Sequence, residues 1–194
     1  MNATNCIKVF VRIKPEEEDE NYIPFNIDGN VIGCKTYRNN THFNFDYIFQ
    51  NEESNPSYIR NHIEEGISEG GFLYLFYGVT SGGKTYTMSN IINEKANEGC
   101  FDELDFSCYE IYLDEIYDLL DNRKKIKLTE EKKKIRWDKD MFLSAIKHRH
   151  VGPTLINKLS SRSHLIVEIK DSIYVDLAGS ERAKKTQAIG TALR

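Results

Sequence analysis

At 194 residues the chain suits one domain with a real core rather than two small ones. Hydrophobic residues make up 40% and charged residues 29%, which excludes the disordered and fibrous classes. A formal net charge of −4 carries no general nucleic-acid signature, and the longest apolar run, Phe72 to Val79, is far too short for a membrane-spanning helix. The opening Met1–Cys6 lacks a signal-peptide pattern. Cys6, Cys34, Cys100 and Cys108 show no C-x-x-C pairing and read as free buried thiols in a reducing cytosol. His148 and His150 flank Arg149 without the carboxylate or thiol spacing of a metal site.

In chain order, Ile7, Val9, Val11 and Ile13 alternate with Lys8, Phe10 and Arg12 and predict an opening strand that Pro15 ends. The acidic run Glu16–Glu20 reads as a surface loop. Asn30–Tyr37 and Thr41–Phe45 predict two short strands with a turn at 38–40. From Asn55-Pro56 onward, Tyr58, Ile59, His62, Ile63 and Ile67 recur at helical spacing, and Gly70-Gly71 closes that helix. Phe72–Tyr77 then reads as a buried strand.

That strand runs into Gly78-Val79-Thr80-Ser81-Gly82-Gly83-Lys84-Thr85, which fits the phosphate-binding pattern G-x-x-x-x-G-K-[ST] without a mismatch. Tyr86–Ile92 can start a helix, so the motif has its required setting of strand, loop and helix. In that setting backbone N–H groups and a helix N-terminus converge on phosphate oxygens. The helix is expected to end near Lys95, with Ala96–Cys100 as connector. Leu104–Leu113 is strand-like, Glu115–Leu120 reads as a short turn packing on the core, and 121–137 as a charged hairpin or a disordered segment. Base is concentrated at Arg123–Lys127 and Lys132–Arg136, either as a solvated hairpin or as a docking surface for an acidic partner. Asp138–His148 predicts a helix carrying Met141, Phe142, Ala145 and Ile146 on one face. Leu165–Ile169 and Ser172–Val175 leave only Lys170-Asp171 between them and must pair as a tight hairpin. There is no internal repeat, heptad or low-complexity linker.

A phosphate loop needs a carboxylate that holds the magnesium shell, typically at the end of a buried strand. Asp176 ends such a strand, and Gly179 follows where a backbone N–H can approach a γ-phosphate with no Cβ in the way. Ser160-Ser161-Arg162-Ser163-His164 is dense in hydroxyls. By itself it reads as a capped turn; beside the other two motifs it reads as the set that holds metal and water.

These motifs, in this order, resemble the kinesin motor domain from Val11 nearly to Arg194. Val11-Arg12-Ile13-Lys14-Pro15 is similar to the family's adenine-side R-x-R-P, with Lys14 replacing the second arginine. Phe43–Phe49 resembles the strand entering its first long helix. Tyr77–Met88 resembles Y-G-Q-T-G-S-G-K-T-Y-T-M, changed at Val79, Ser81 and Gly82. Glu110-Ile111-Tyr112 with Ile116–Leu120, Asn157–His164 and Asp176–Arg182 resemble E-I-Y-x-E-x-I-Y-D-L-L and the two switches. The resemblance implies an α/β P-loop NTPase with a kinesin-type central mixed sheet flanked by helices. It implies a cytoplasmic ATPase that binds ATP and Mg²⁺ and acts on microtubules or the spindle, with no nucleic-acid or membrane partner.

By the same resemblance, Arg12, Pro15 and Tyr86 line the adenine, Lys84 neutralises the β- and γ-phosphates, and Thr85 ligates Mg²⁺. Ser161 joins the metal shell and Asp176 reaches it through water. Asn157, Ser160 and the Gly179 N–H surround the γ-phosphate and the attacking water, and an Arg162–Glu181 salt bridge closes the switches over them. In kinesins the second switch is followed by microtubule-binding helices, a further sheet strand and a neck linker, so residues 1–194 are expected to be the N-terminal and central part of a longer motor. The spans 120–157 and 164–176 are short for the family, which implies trimmed loops. The basic cluster at 123–136 lies near a secondary microtubule contact of kinesins, and Lys184, Lys185 and Arg194 fall in the loop leading to the main one. Two readings stand: a microtubule-stimulated ATPase, and a non-enzymatic module that binds nucleotide or tubulin without turnover. A small-molecule kinase would share only the loop.

Overall fold

The computed structural model describes residues 7–14, 25–35, 40–65, 71–149 and 162–181. The chain divides into two compact units, residues 1–65 and 66–194. In the first, β1 (Phe10–Arg12) pairs in parallel with β5 (Tyr47–Phe49). A separate antiparallel meander joins β2 (Phe25–Asp28), β3 (Val31–Lys35) and β4 (Asn40–Asn44). The expected hairpin is therefore present as β3 and β4, β5 falls within the Phe43–Phe49 segment expected to enter the helix, and β2 is additional to the sequence reading. The opening strand is also shorter than expected, because Ile7 is 93% exposed and has no apolar surface to cover it.

The helix expected from Asn55 is α1 (Pro56–Glu64). Asn55 caps it by accepting from Ser57 N at 2.9 Å, and Pro56 occupies the first turn, where its missing N–H costs nothing. Phe10, Tyr47, Phe49 and Tyr58 surround His62 from α1, and the Tyr47 and His62 ring centroids lie 4.2 Å apart. This aromatic cluster is the core that holds the helix on the two-stranded sheet. The Tyr47 phenol, bonded to Tyr58 and next to Glu53, is pushed up to about 12.

The second unit is built on a seven-stranded mixed sheet. Its order runs β6 (Leu73–Phe76), β12 (Ser172–Asp176), β11 (Ser163–Ile169), β7 (Asp105–Tyr112), β8 (Glu115–Asp118) and β9 (Lys124–Ile126), and β10 (Ile135–Arg136) also pairs with β7. Only β6 and β12 are parallel; the other pairs are antiparallel. The Lys170-Asp171 hairpin forms between β11 and β12 as the spacing requires. Glu115–Leu120 is a correction: it begins with a strand, β8, rather than a turn. Leu113 and Asp114 both take positive φ (49° and 64°), the geometry of a two-residue hairpin turn, although neither is a residue that usually marks one. Residues 121–137 do not form a hairpin of their own; β9 pairs with β8 and β10 with β7.

Among the described residues this unit also carries two helices, α2 (Lys84–Asn97) and α3 (Lys139–His148). Asp138 caps α3 by accepting from Met141 N at 2.7 Å. On one sheet face Phe106 meets Phe142 of α3 and Trp137, with ring centroids 6.5 and 5.1 Å away. On the other, Tyr109, Ile116, Ile126 and Ile166 form a second cluster. The strand expected to be fully buried, β6, is buried on one face only: Tyr74 is 9% exposed and stacks on Tyr174, while Leu73 is 64% exposed and Leu75 is 59% exposed. It ends the sheet order, so alternation replaces the continuous burial that an interior parallel strand would show. Of the described cysteines, Cys108 is buried, Cys34 half-buried and Cys100 exposed, which corrects the uniform reading of them. No helix of the described residues is long and apolar enough to cross a membrane.

Within α3 the apolar face narrows to Phe142 and Ala145, since Met141 is 41% exposed. Phe142→Ala is expected to cost about 3–5 kcal/mol of unfolding free energy, and Met141→Ala less than about 1 kcal/mol. Urea unfolding followed by Trp137 fluorescence measures both, and equal costs would contradict this packing.

Candidate functional site

The glycine-rich loop joins β6 to α2. Gly83, immediately before the helix, has φ 87°, a left-handed conformation that glycine takes without a Cβ penalty. Ser81 adopts the same region at φ 65° and bears that penalty. Gly82 closes the turn by donating to Val79 O at 3.1 Å. The α2 ladder starts with Thr87 N–H on Gly83 O at 2.9 Å, so the earlier N–H groups face out of the helix N-terminus toward the loop. Lys84 Nζ folds over that loop and donates to Gly78 O and Val79 O, both at 2.9 Å.

Asp176 lies at the end of β12, in register with Phe76 at the end of the parallel β6. The segments after these strands therefore leave the sheet at the same end, the crevice where open α/β sheets bind ligands. Asp176 is 1% exposed. Its Oδ2 accepts from Thr85 Oγ1 at 2.5 Å and from Arg149 Nη1 at 2.5 Å. Arg149, also 1% exposed, follows α3 and is fixed by Ser163, donating Nε to Ser163 Oγ at 3.1 Å and Nη2 to Ser163 O at 2.6 Å. Asp176 Oδ1 is buried with no hydrogen-bond partner among the described residues. A threonine hydroxyl beside a carboxylate with one acceptor to spare is a hard-oxygen donor set, and it fits Mg²⁺ rather than a soft metal.

The segment after Asp176 lies against the loop. Leu177 N donates to Phe76 O at 3.1 Å and Ser180 N to Gly78 O at 3.1 Å. Ala178 N donates to His164 Nδ1 at 3.1 Å. Burial, and then the nearby Arg149 charge, hold the His164 imidazole below its ordinary pKa, with Asp176 opposing them, so His164 stays a neutral acceptor. Glu181 takes two donors from one residue: Thr80 N at 3.0 Å on Oε2, and Thr80 Oγ1 on Oε1. The Thr80 hydroxyl, and then its N–H, hold the Glu181 carboxyl below the usual carboxylate range. Gly179 sits within this contact, where an added Cβ would come 2.5 and 2.6 Å from the two Glu181 oxygens.

Of the residues expected at the site, Gly78 through Tyr86, Asp176, Gly179 and Glu181 lie in this one region of the second unit. Among the described residues Glu181 is held by Thr80 rather than by Arg162. Arg12 belongs to the first unit, where its Nε donates to Ser54 O at 2.8 Å. Pro15, Asn157, Ser160 and Ser161 lie outside the described residues, as do Lys184, Lys185 and Arg194. Sequence reasoning missed Arg149: a cation in the last turn of a helix looks like an ordinary partner for the helix dipole.

The basic cluster is largely committed within the chain. Arg123 pairs with Glu110 at 2.5 Å and covers the Tyr117 ring at 4.4 Å. Lys125 pairs with Glu115 at 2.5 Å, Lys132 with Glu168 at 3.5 Å and Arg136 with Asp105 at 3.8 Å. Lys133 Nζ donates to Leu120 O at 3.0 Å.

A family model described as the kinesin motor domain matches residues 26–194. Kinesin-related protein 4 of Dictyostelium discoideum is 30% identical over 97% of the chain and 13% of its own length. The kinesin heavy chain of Drosophila melanogaster is 28% identical over 98% of the chain and 25% of its own length. The human kinesin-1 heavy chain is 30% identical, with 96% and 25% covered. The chain thus spans between about an eighth and a quarter of the length of these relatives. The alignment with the Dictyostelium protein runs over 245 positions, more than the chain's 194 residues, so that relative carries insertions within the matched region.

Arg149→Ala is expected to lower unfolding free energy by about 3–5 kcal/mol, since it strands a buried carboxylate. Adding Asp176→Asn should recover part of that loss by removing the stranded charge. Urea unfolding of both single variants, the double variant and the wild type tests this, and additive losses would contradict a direct pair.

Proposed function

Because the chain belongs to the kinesin motor-domain family, we propose that it is the nucleotide-hydrolysing part of a microtubule motor, taking ATP with Mg²⁺ as its substrate complex. The observation that carries this reading is the Thr85–Asp176 contact of 2.5 Å beneath the loop, with the 177–181 segment laid against the same loop. A phosphate cradle, a hard-oxygen metal position and a mobile-phosphate sensor need to be adjacent for phosphoryl transfer to water.

In this reading the loop N–H groups and the α2 N-terminus bind the phosphates, and Lys84 turns from its loop carbonyls to their oxygens. Thr85 and Asp176 would hold Mg²⁺, which spreads the charge developing on the phosphate oxygens. Arg149 fixes the rotamer of Asp176, and Ser163 fixes Arg149. Ser161 is assigned to the metal shell, and Asn157, Ser160 and the Gly179 N–H are assigned around the terminal phosphate and the attacking water. Arg12, Pro15 and Tyr86 are assigned to the adenine. Catalysis then comes from positioning and charge stabilisation rather than from a covalent intermediate. Arg162 and Glu181 are assigned to closing the site once Glu181 leaves Thr80. Microtubules are the proposed partner, through an acidic surface facing basic residues of this chain.

Phosphate release from ATP, measured with and without microtubules, tests the assignment. The wild-type rate should exceed that of Lys84→Ala by at least about a hundredfold, the scale set by losing one charge-stabilising group. Microtubules should raise only the wild-type rate. Nucleotide binding with equal, background rates for both proteins would favour the non-enzymatic reading.

A further inference from the structure

Glu181 is the most telling group near the loop that the assigned chemistry leaves in an unexpected place. Its carboxylate accepts both donors that Thr80 offers, the backbone N–H at 3.0 Å and the hydroxyl. Lys84 contributes a further favourable charge. Ser180 N–H on Gly78 O, 3.1 Å, fastens the same segment to the loop one residue earlier. The close approach depends on Gly179, because any Cβ there would collide with the Glu181 oxygens. A backbone N–H of a glycine-rich loop, a hydroxyl and an ammonium are the donors that such loops offer to phosphate oxygens.

We propose that Glu181 is an internal competitor for the terminal phosphate: its carboxylate occupies anion-binding donors of the loop, and a nucleoside triphosphate must displace it from Thr80. This rests on the reading of the loop as a nucleoside-triphosphate site. The carboxylate and the terminal phosphate are both anions, so they exclude each other by charge as well as by volume. A diphosphate lacks the group that competes and leaves the contact in place. The contact therefore biases the protein toward the diphosphate, and the bias is released when Glu181 swings away from the loop. The displaced carboxylate then becomes available to a cation such as Arg162, which links nucleotide occupancy to the position of residues 177–181.

The test is direct titration of the full chain with a fluorescent nucleoside diphosphate and with a non-hydrolysable triphosphate analogue, both with Mg²⁺. Glu181→Ala should tighten the triphosphate analogue by about fivefold or more, the lower end of site-to-site coupling, while diphosphate affinity changes less than twofold. Glu181→Gln, which keeps the size and loses the charge, should move the ratio in the same direction and decides the matter if the alanine variant does not fold. An unchanged ratio, or a triphosphate that binds more weakly in both variants, overturns the competitor role. Failure of the wild type to bind either nucleotide would instead overturn the reading of the loop itself.

Discussion

The Asp176 carboxylate is the constraint on which this site depends. It is almost completely removed from water, and one of its oxygens accepts from Thr85 and Arg149 at once. Taking both members of an ion pair out of water costs several kcal/mol per ion, roughly, and geometry has to offset that. Here the guanidinium is held by three directed bonds, two of them to Ser163, so little rotamer freedom remains to be lost when it meets the carboxylate. Through this pair, the start of α2, the ends of β11 and β12 and the residue after α3 are fixed relative to one another. Arg149 and Thr85, 27 and 91 positions from Asp176 in sequence, are thereby brought within one hydrogen-bonded group.

The same low exposure explains why one carboxylate oxygen is left over. Oδ2 carries both protein contacts and Oδ1 carries none. A buried acceptor without a donor is costly, and native proteins retain one where function supplies its partner. The arrangement thus joins structural need to function: Arg149 makes the buried charge tolerable, and the unused oxygen keeps the group receptive.

Much of this was legible in the sequence, for identifiable reasons. The glycine loop is legible because its backbone conformation and its lysine and threonine are required by local geometry. The β11–β12 hairpin is legible because two apolar runs separated by Lys170-Asp171 leave no other connection. What stayed hidden depends on tertiary contacts. The Leu113-Asp114 turn was obscured because both residues take positive φ without being glycine or asparagine. The strand β8 was therefore read as a turn. The basic residues at 123–136 suggested a free charged surface, but their acidic partners Glu110, Glu115 and Glu168 lie on strands that only the fold places alongside them. Arg149 was invisible for the same reason: Ser163 and Asp176, which hold it, lie on β11 and β12, 14 and 27 positions along the chain.

The compactness of the chain sharpens the physical question of how a site of this kind is coupled to its surroundings. A relative with insertions in the matched region has further surface over which a conformational change can spread. In this chain the connection between the loop and the segment after β12 is short and made of few bonds: Ser180 to Gly78, Thr80 to Glu181, and the glycine between them. Few bonds mean that losing one changes the balance between the two arrangements appreciably. Because the donors that hold Glu181 are of the kind that hold phosphate, the two uses cannot be satisfied together, and an all-or-none exchange follows from chemistry rather than from size. On the proposed exchange the rigid side is Asp176 with Arg149, and the movable side is the half-buried carboxylate five residues later. A fully buried pair beside a part-buried one would confine that proposed motion to residues 177–181 and leave the Thr85–Asp176 contact undisturbed.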